Sequence, residues 1–161
     1  MFLLFAGIMM PVLLVFGVYH LMTWFNIAGI NRRSFWRRVG WASVVSHAVL
    51  AGGFFAFSYY DYLANRGTAF IGLGFDRYLF DRSEFWRLMT LFDTAPMLAL
   101  LATAALLDRM GWNPPLVATA VTVTIIVGSL QWYFVGGGIG LLLERFWSGL
   151  KTGEDPDEDW L

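Results

Sequence analysis

Val39-Gly40-Trp41-Ala42-Ser43-Val44-Val45-Ser46-His47-Ala48-Val49-Leu50-Ala51-Gly52-Gly53-Phe54-Phe55-Ala56-Phe57-Ser58-Tyr59-Tyr60 runs for 22 residues between Arg38 and Asp61 without an Asp, Glu, Lys or Arg. A charged side chain at the centre of a membrane helix costs roughly 2.5–3.5 kcal/mol on insertion scales. Roughly 20 apolar residues suffice to cross the hydrocarbon layer as a helix. A stretch this long and this free of charge therefore reads as a transmembrane helix over about 39–60.

Three more gaps in the charge pattern extend the reading. No charge occurs from Met1 to Asn31, and none from Met110 to Leu143, a run of 34 residues that is too short for two spans and a turn. Between Arg87 and Asp108 only Asp93 interrupts. The sequence thus predicts an all-α membrane protein, a four-transmembrane-helix bundle with spans at about 4–28, 39–60, 86–108 and 115–137. Trp24, Trp36, Trp41 and Trp112 gather at the ends facing the first and third connections. Tyr59, Tyr60, Tyr62, Tyr78 and Trp86 gather at the others, as interfacial aromatics do.

Local signals fill in the rest. Pro11 predicts a kink in the first helix, tolerated in lipid where neighbours satisfy the freed carbonyl. Asp81 and Glu84 have capping-box spacing, so a helix is expected to start near Arg82, making the loop between helices 2 and 3 partly helical. Asn113-Pro114-Pro115 reads as the turn before the fourth span. Gly136-Gly137-Gly138-Ile139-Gly140 is expected to weaken that helix, and Leu141–Leu150, with Phe146 and Trp147, to form a short interfacial helix near the C-terminus. One domain over 1–150 is then followed by an acidic tail, 151–161, carrying Glu154, Asp155, Asp157, Glu158 and Asp159.

Composition agrees. Charged residues make up 14%, against about 25% for soluble domains, which need charge to cover their outside. A net charge of −1 offers no basic field for nucleic acid. The absence of cysteine excludes disulfides, thiolate nucleophiles and cysteine-held metals. Met1-Phe2-Leu3-Leu4 carries no basic residue, and Arg32 and Arg33 follow the apolar run instead of preceding it, the layout of a retained first helix. The clustered Arg32, Arg33, Arg37 and Arg38 orient the first loop, Asn31–Gly40, to the cytoplasm of a plasma membrane of the bacterial inner-membrane type, with both termini outside.

Helices in lipid associate through small residues and polar contacts. Ala48, Gly52 and Ala56 form one i, i+4 stripe, Ala95, Ala99 and Thr103 a second, and Ala120, Thr124 and Gly128 a third; Gly136 and Gly140 make a GxxxG.

Four polar residues fall inside the expected spans: His20, His47, Asp93 and Gln131. At 1.5 Å rise per residue, His20 and His47 lie roughly 18 and 14 Å from the arginine loop, Asp93 and Gln131 roughly 22 and 24 Å from the same side. Three readings follow. The groups hydrogen-bond across helices, with Ser43 one turn below His47 and Thr23 near His20, and fix helix register. Alternatively, His20 and His47 ligate a b-type haem from facing helices. In the third reading Asp93, with Gln131 on the same path, carries a proton or ion, as intramembrane acids do, unless Asp93 only caps a helix before Thr94-Ala95-Pro96.

Asn65-Arg66-Gly67-Thr68-Ala69-Phe70 resembles the N-x-G-A-A-F stretch of signal peptidase II, and Gly136-Gly137-Gly138-Ile139-Gly140 with Glu144-Arg145 resembles that family's G-G-x-x-G-N-x-x-D-R. The resemblance implies a four-helix membrane protease working with two aspartates. Here Glu144 stands in place of the first aspartate, Leu141 in place of the asparagine, and no following helix supplies the second aspartate, so membership is not assigned. P-loop, dinucleotide, H-E-x-x-H and G-x-S-x-G patterns are absent. The expectation is a non-catalytic structural or accessory subunit with no metal site, partnered by the bilayer and by itself or other membrane subunits. Proton, ion or small-solute transport using Asp93, and a b-type haem-binding redox subunit using His20 and His47, are the alternatives.

Overall fold

The computed structural model describes residues 2–65, 74–84, 87–89, 93–112 and 115–151, with side chains from 9 to 148 within those ranges. Every element among them is helical: α1 Phe2–Trp24, α2 Phe35–Asn65, α3 Phe75–Asp81, α4 Thr94–Arg109, α5 Leu116–Val123 and α6 Ser129–Lys151. A π-helical turn, Thr124–Gly128, joins α5 to α6 without a break. Phe35–Asn65 and the continuous stretch Leu116–Ser148 are long and apolar enough to cross a membrane; Met9–Trp24 is a shorter apolar helix. The chain divides into two compact units, Met1–Val44 with Trp132–Leu161, and Val45–Gln131.

In the first unit the start of α2 runs antiparallel to α6. A Cβ on Gly140 would stand 2.8 Å from Trp36 Cα, and one on Gly136 2.7 Å from Ser43 Cβ, so the bare glycines are what lets these helices touch. Gly40 returns the contact from α2, lying where a Cβ would come 3.0 Å from the Tyr133 ring. Met22, Ile30 and Ala42 form the buried core, with Val15, Val18 and Tyr19 around it. The turn after α1 is pinned by Asn31, whose Nδ2 donates to the Thr23 carbonyl (2.9 Å) and whose N–H donates to Asn26 Oδ1 (3.2 Å).

In the second unit the chain descends along α2 and returns. Near the end of α2, Tyr78 O–H donates to Asp61 Oδ2, Asn65 Nδ2 donates to Asp61 Oδ1 (2.9 Å), and Ser58 and Ser83 share a hydroxyl hydrogen bond of 2.5 Å. Phe75, Tyr62 and Tyr78 pack their rings together there. A helical turn starts after Ser83, whose carbonyl accepts the Arg87 N–H (3.1 Å); the Asp93 N–H donates to Met89 (3.1 Å). Asp93, at φ −119, ψ 61, stands before α4, and its side chain lies beside His47, about three turns of α2 nearer that helix's start than Ser58 is. From there α4 runs back, for its Leu100 is buried with Leu79 of α3 and Ala120 of α5. Gly111 (φ 67) ends α4: its N–H donates to Asp108 (3.0 Å) while the Trp112 N–H donates to Leu107 (2.9 Å), a left-handed stop that glycine adopts without strain.

Several expectations change. Within the expected third span, about 86–108, the helix described from there on begins at Thr94, with Asp93 before it at φ −119, ψ 61 and bonded to His47. Val117, in the first turn of α5, packs against the cluster of Leu79, Leu100 and Ala120. Gly136–Gly140 does not interrupt α6, which continues to Lys151, because those glycines serve the contact with α2; Leu141–Leu150 is therefore an extension of that helix. Asp81 closes α3, and Ser83, not the Asp81 capping box, precedes the next helical turn. Ala48, Gly52 and Ala56 are exposed, while Ser43, Ser46, His47, Leu50, Ala51 and Ser58 form the buried face of α2. The stripe Ala120, Thr124, Gly128 is buried as expected. Helix α1 runs through Pro11. Arg66–Phe70, Trp86 and the acidic tail lie outside the described residues.

Candidate functional site

His47 stands on the buried face of α2 with no exposed surface, and Asp93 is 1% exposed. The His47 Nε2 lies 2.8 Å from Asp93 Oδ2, and its Nδ1 lies 3.3 Å from Ser129 Oγ. Asp93 occupies the position before the first turn of α4, yet its side chain makes no capping bond there. Capping is left to Gln131, whose Oε1 accepts the Ala95 N–H at 3.0 Å. Pro96, buried in that first turn, has no N–H to leave unpaired. The N-terminal end of α4 also brings its partial positive charge to the Asp93 carboxylate.

Gly128 completes the site. A Cβ there would stand 2.5 Å from His47 Cε1 and 3.2 Å from Asp93 Oδ2, so only a glycine leaves room for the imidazole. Gly128 ends the π turn, and Thr124, which opens it, is also buried. Such turns insert an extra residue into a helix and recur at functional sites. Beside Thr124 lies a small apolar cavity of about 50 Å³, lined by Ala51, Gly52, Phe55, Val121, Thr124 and Ile125.

The pair has two proton states of different charge. With Asp93 ionised and His47 neutral, Nε2–H donates to Oδ2 and Nδ1 accepts from the Ser129 hydroxyl. A second proton on the ring makes Nδ1 a donor, turns Ser129 into an acceptor and renders the pair neutral overall.

Of the four residues singled out from sequence, the second unit brings together His47, Asp93 and Gln131. His20 belongs to the first unit, exposed on α1, with its ring 4.4 Å from that of Phe16 and 5.8 Å from that of Tyr19. Thr23 bonds the carbonyls of Tyr19 and His20, and Ser43 that of Val39, so both satisfy their own helices. Sequence reasoning missed Ser129. It had read Gly128 as one more small packing residue, although a Gly–Ser step within a long apolar run is a sign of a polar neighbour. No known family, curated protein or solved structure matches the chain.

Proposed function

We propose that the protein is a multi-pass membrane protein that moves protons, or a cation in exchange for a proton, through the His47–Asp93 centre. Three helical stretches cross the bilayer: α1, α2 and α5–α6. The segment from α3 through α4 is re-entrant and places Asp93 at its tip. Support for the membrane comes from Leu116–Ser148, in which only 17% of the most apolar window is buried. An apolar helix at the centre of a water-soluble fold would instead be mostly covered. Phe16, Leu98, Leu101, Phe134 and Leu142 are likewise exposed by more than 60% and are suited to lipid contact.

The observation that carries the transport reading is the buried Asp93–His47 contact at a helix break. Irregular backbone at membrane depth is tolerated where it is enclosed by protein or lines a polar path, and broken helices there hold coupling ions in transporters. In this reading the arginine turn and the end of α6 share the cytoplasmic face, which adds Arg145 and Lys151 to the four loop arginines. The membrane is of the bacterial plasma-membrane type. Haem ligation by His47 would require it to give up one of its two bonds, to Asp93 or to Ser129.

A second reading, a non-catalytic subunit that packs with itself or with larger membrane partners, is favoured by the uncovered stripe Ala48, Gly52, Ala56 on α2. Proteoliposomes separate the two. A pH step across vesicles should produce proton flux that falls at least tenfold in Asp93→Asn while the protein remains folded. Flux equal to that of empty vesicles in the parent protein would remove the transport reading and leave the subunit reading.

A further inference from the structure

The first unit carries four arginines within seven positions, Arg32, Arg33, Arg37 and Arg38, beside the start of α2. Among the described residues none of them pairs with a carboxylate. Neutral groups hold three of them. Arg38 donates from Nε to the Arg33 carbonyl (2.8 Å) and from Nη2 to the Asn31 carbonyl (2.9 Å). Arg33 lies 5.4 Å over the Trp41 ring and Arg37 5.0 Å over the Trp36 ring. Backbone carbonyls and aromatic faces fix a guanidinium in place without neutralising its charge. Arg32 and Arg37 are exposed.

An apolar groove of about 500 Å³ opens beside the cluster, lined by Phe35, Leu143, Glu144, Trp147 and Ser148. Phe35, one of its lining residues, stands two positions from both Arg33 and Arg37 in the chain, which puts the arginine turn next to this wall of the groove. Glu144 is its acidic lining residue and would repel a phosphate placed next to it, which leaves the arginine side for the charged group.

We propose that this surface binds an anionic glycerophospholipid, with its phosphate on the exposed arginines and one acyl chain in the groove. The proposal rests on the membrane reading above. Charge complementarity selects the occupant: phosphate oxygens match the planar donor fork of arginine, and the indole rings of Trp36 and Trp41 suit headgroup depth. A zwitterionic lipid fills the groove equally well but brings no net charge for the arginines.

The test uses the full-length protein in nanodiscs of phosphatidylcholine with a minor fraction of phosphatidylglycerol, and lipid retained on release is counted by native mass spectrometry. Phosphatidylglycerol should be enriched over its bulk fraction. Each surface arginine contributes about fivefold to affinity, so the double substitution Arg32→Gln, Arg37→Gln should cut the preference about 30-fold, while Glu144→Gln should raise it. Thermal melting confirms that the variants fold. Glycerol 3-phosphate added in solution should not displace the lipid; displacement at similar concentration would assign the arginines to a soluble phosphate and overturn the proposal. Equal retention of both lipids, a double variant indistinguishable from the parent, or a lipid-free dimer with the groove covered by a second copy would also overturn it. Release of the protein from membranes by alkaline carbonate without detergent would instead sink the membrane reading on which it rests.

Discussion

Gly128 is seated against the His47 imidazole so closely that a Cβ would lie 2.5 Å from Cε1. The backbone of the π turn and the side chain of α2 therefore share a space that no other residue type fits. Gly128→Ala should push the ring off Asp93 and cost about 1–3 kcal/mol, the usual range for overpacking. Unfolding by a denaturing detergent in micelles measures it. A variant as stable as the parent would show that the ring is not held there.

The His47–Asp93 contact makes a prediction through its asymmetry. Removing one member of a buried hydrogen-bonded pair leaves the other unsatisfied, at a cost of about 1–3 kcal/mol, whereas replacing both with apolar groups is close to neutral. Asp93→Leu should therefore be much less stable than the double variant His47→Leu, Asp93→Leu. Additive losses in the same unfolding assay would mean that the two side chains do not interact.

Two glycines on one helix should behave differently. Gly136→Ala places a Cβ 2.7 Å from Ser43 Cβ, while a Cβ at Gly138 meets nothing within 4 Å. The first substitution should destabilise by about 1–3 kcal/mol; the second should be neutral or should stabilise by up to about 1 kcal/mol through helix propensity. Thermal melting in mild detergent distinguishes them.

Alkaline pH should loosen the link between α3 and the end of α2. Burial, then the hydrogen bond to Asp61 and its charge, push the Tyr78 hydroxyl up from 10.0 to about 12. A raised value in the folded state means that the stabilisation is complete below pH 10 and is lost as pH rises through about 12. Tyr78→Phe should be less stable at neutral pH and should lack that decline. Parallel melting curves for both proteins between pH 9 and 12 would contradict the assignment.

The long helices were legible because uninterrupted apolar runs free of charge mark helices long and apolar enough to cross a membrane. The Arg38–Asp61 gap falls within α2, and most of the Met110–Leu143 gap, from Leu116 on, falls within α5–α6. The reversal at Asp93 was not legible. A single acid in an apolar run reads equally as a cap, an interruption or a site, and only its partner across the unit decides. Which face of α2 is buried within the chain was not legible for the same physical reason. Small residues such as Ala48 and Gly52 are nearly neutral between lipid and protein. Ser43, Ser46, His47 and Ser58, which lose hydrogen bonds in lipid, turn inward and set the buried face. No residue pattern in Thr124-Ile125-Ile126-Val127-Gly128 announces a π turn; it follows from seating Gly128 on the His47 ring.

The most direct test is nitrogen-15 NMR of the His47 imidazole in lipid, with His20→Gln removing the other histidine signal. At neutral pH Nε2 should carry the signature of a ring nitrogen hydrogen-bonded to a carboxylate and Nδ1 that of one bonded to a hydroxyl, and Asp93→Asn should change the first while Ser129→Ala changes the second. An imidazole whose two nitrogens are unchanged by Asp93→Asn would contradict the His47–Asp93 centre.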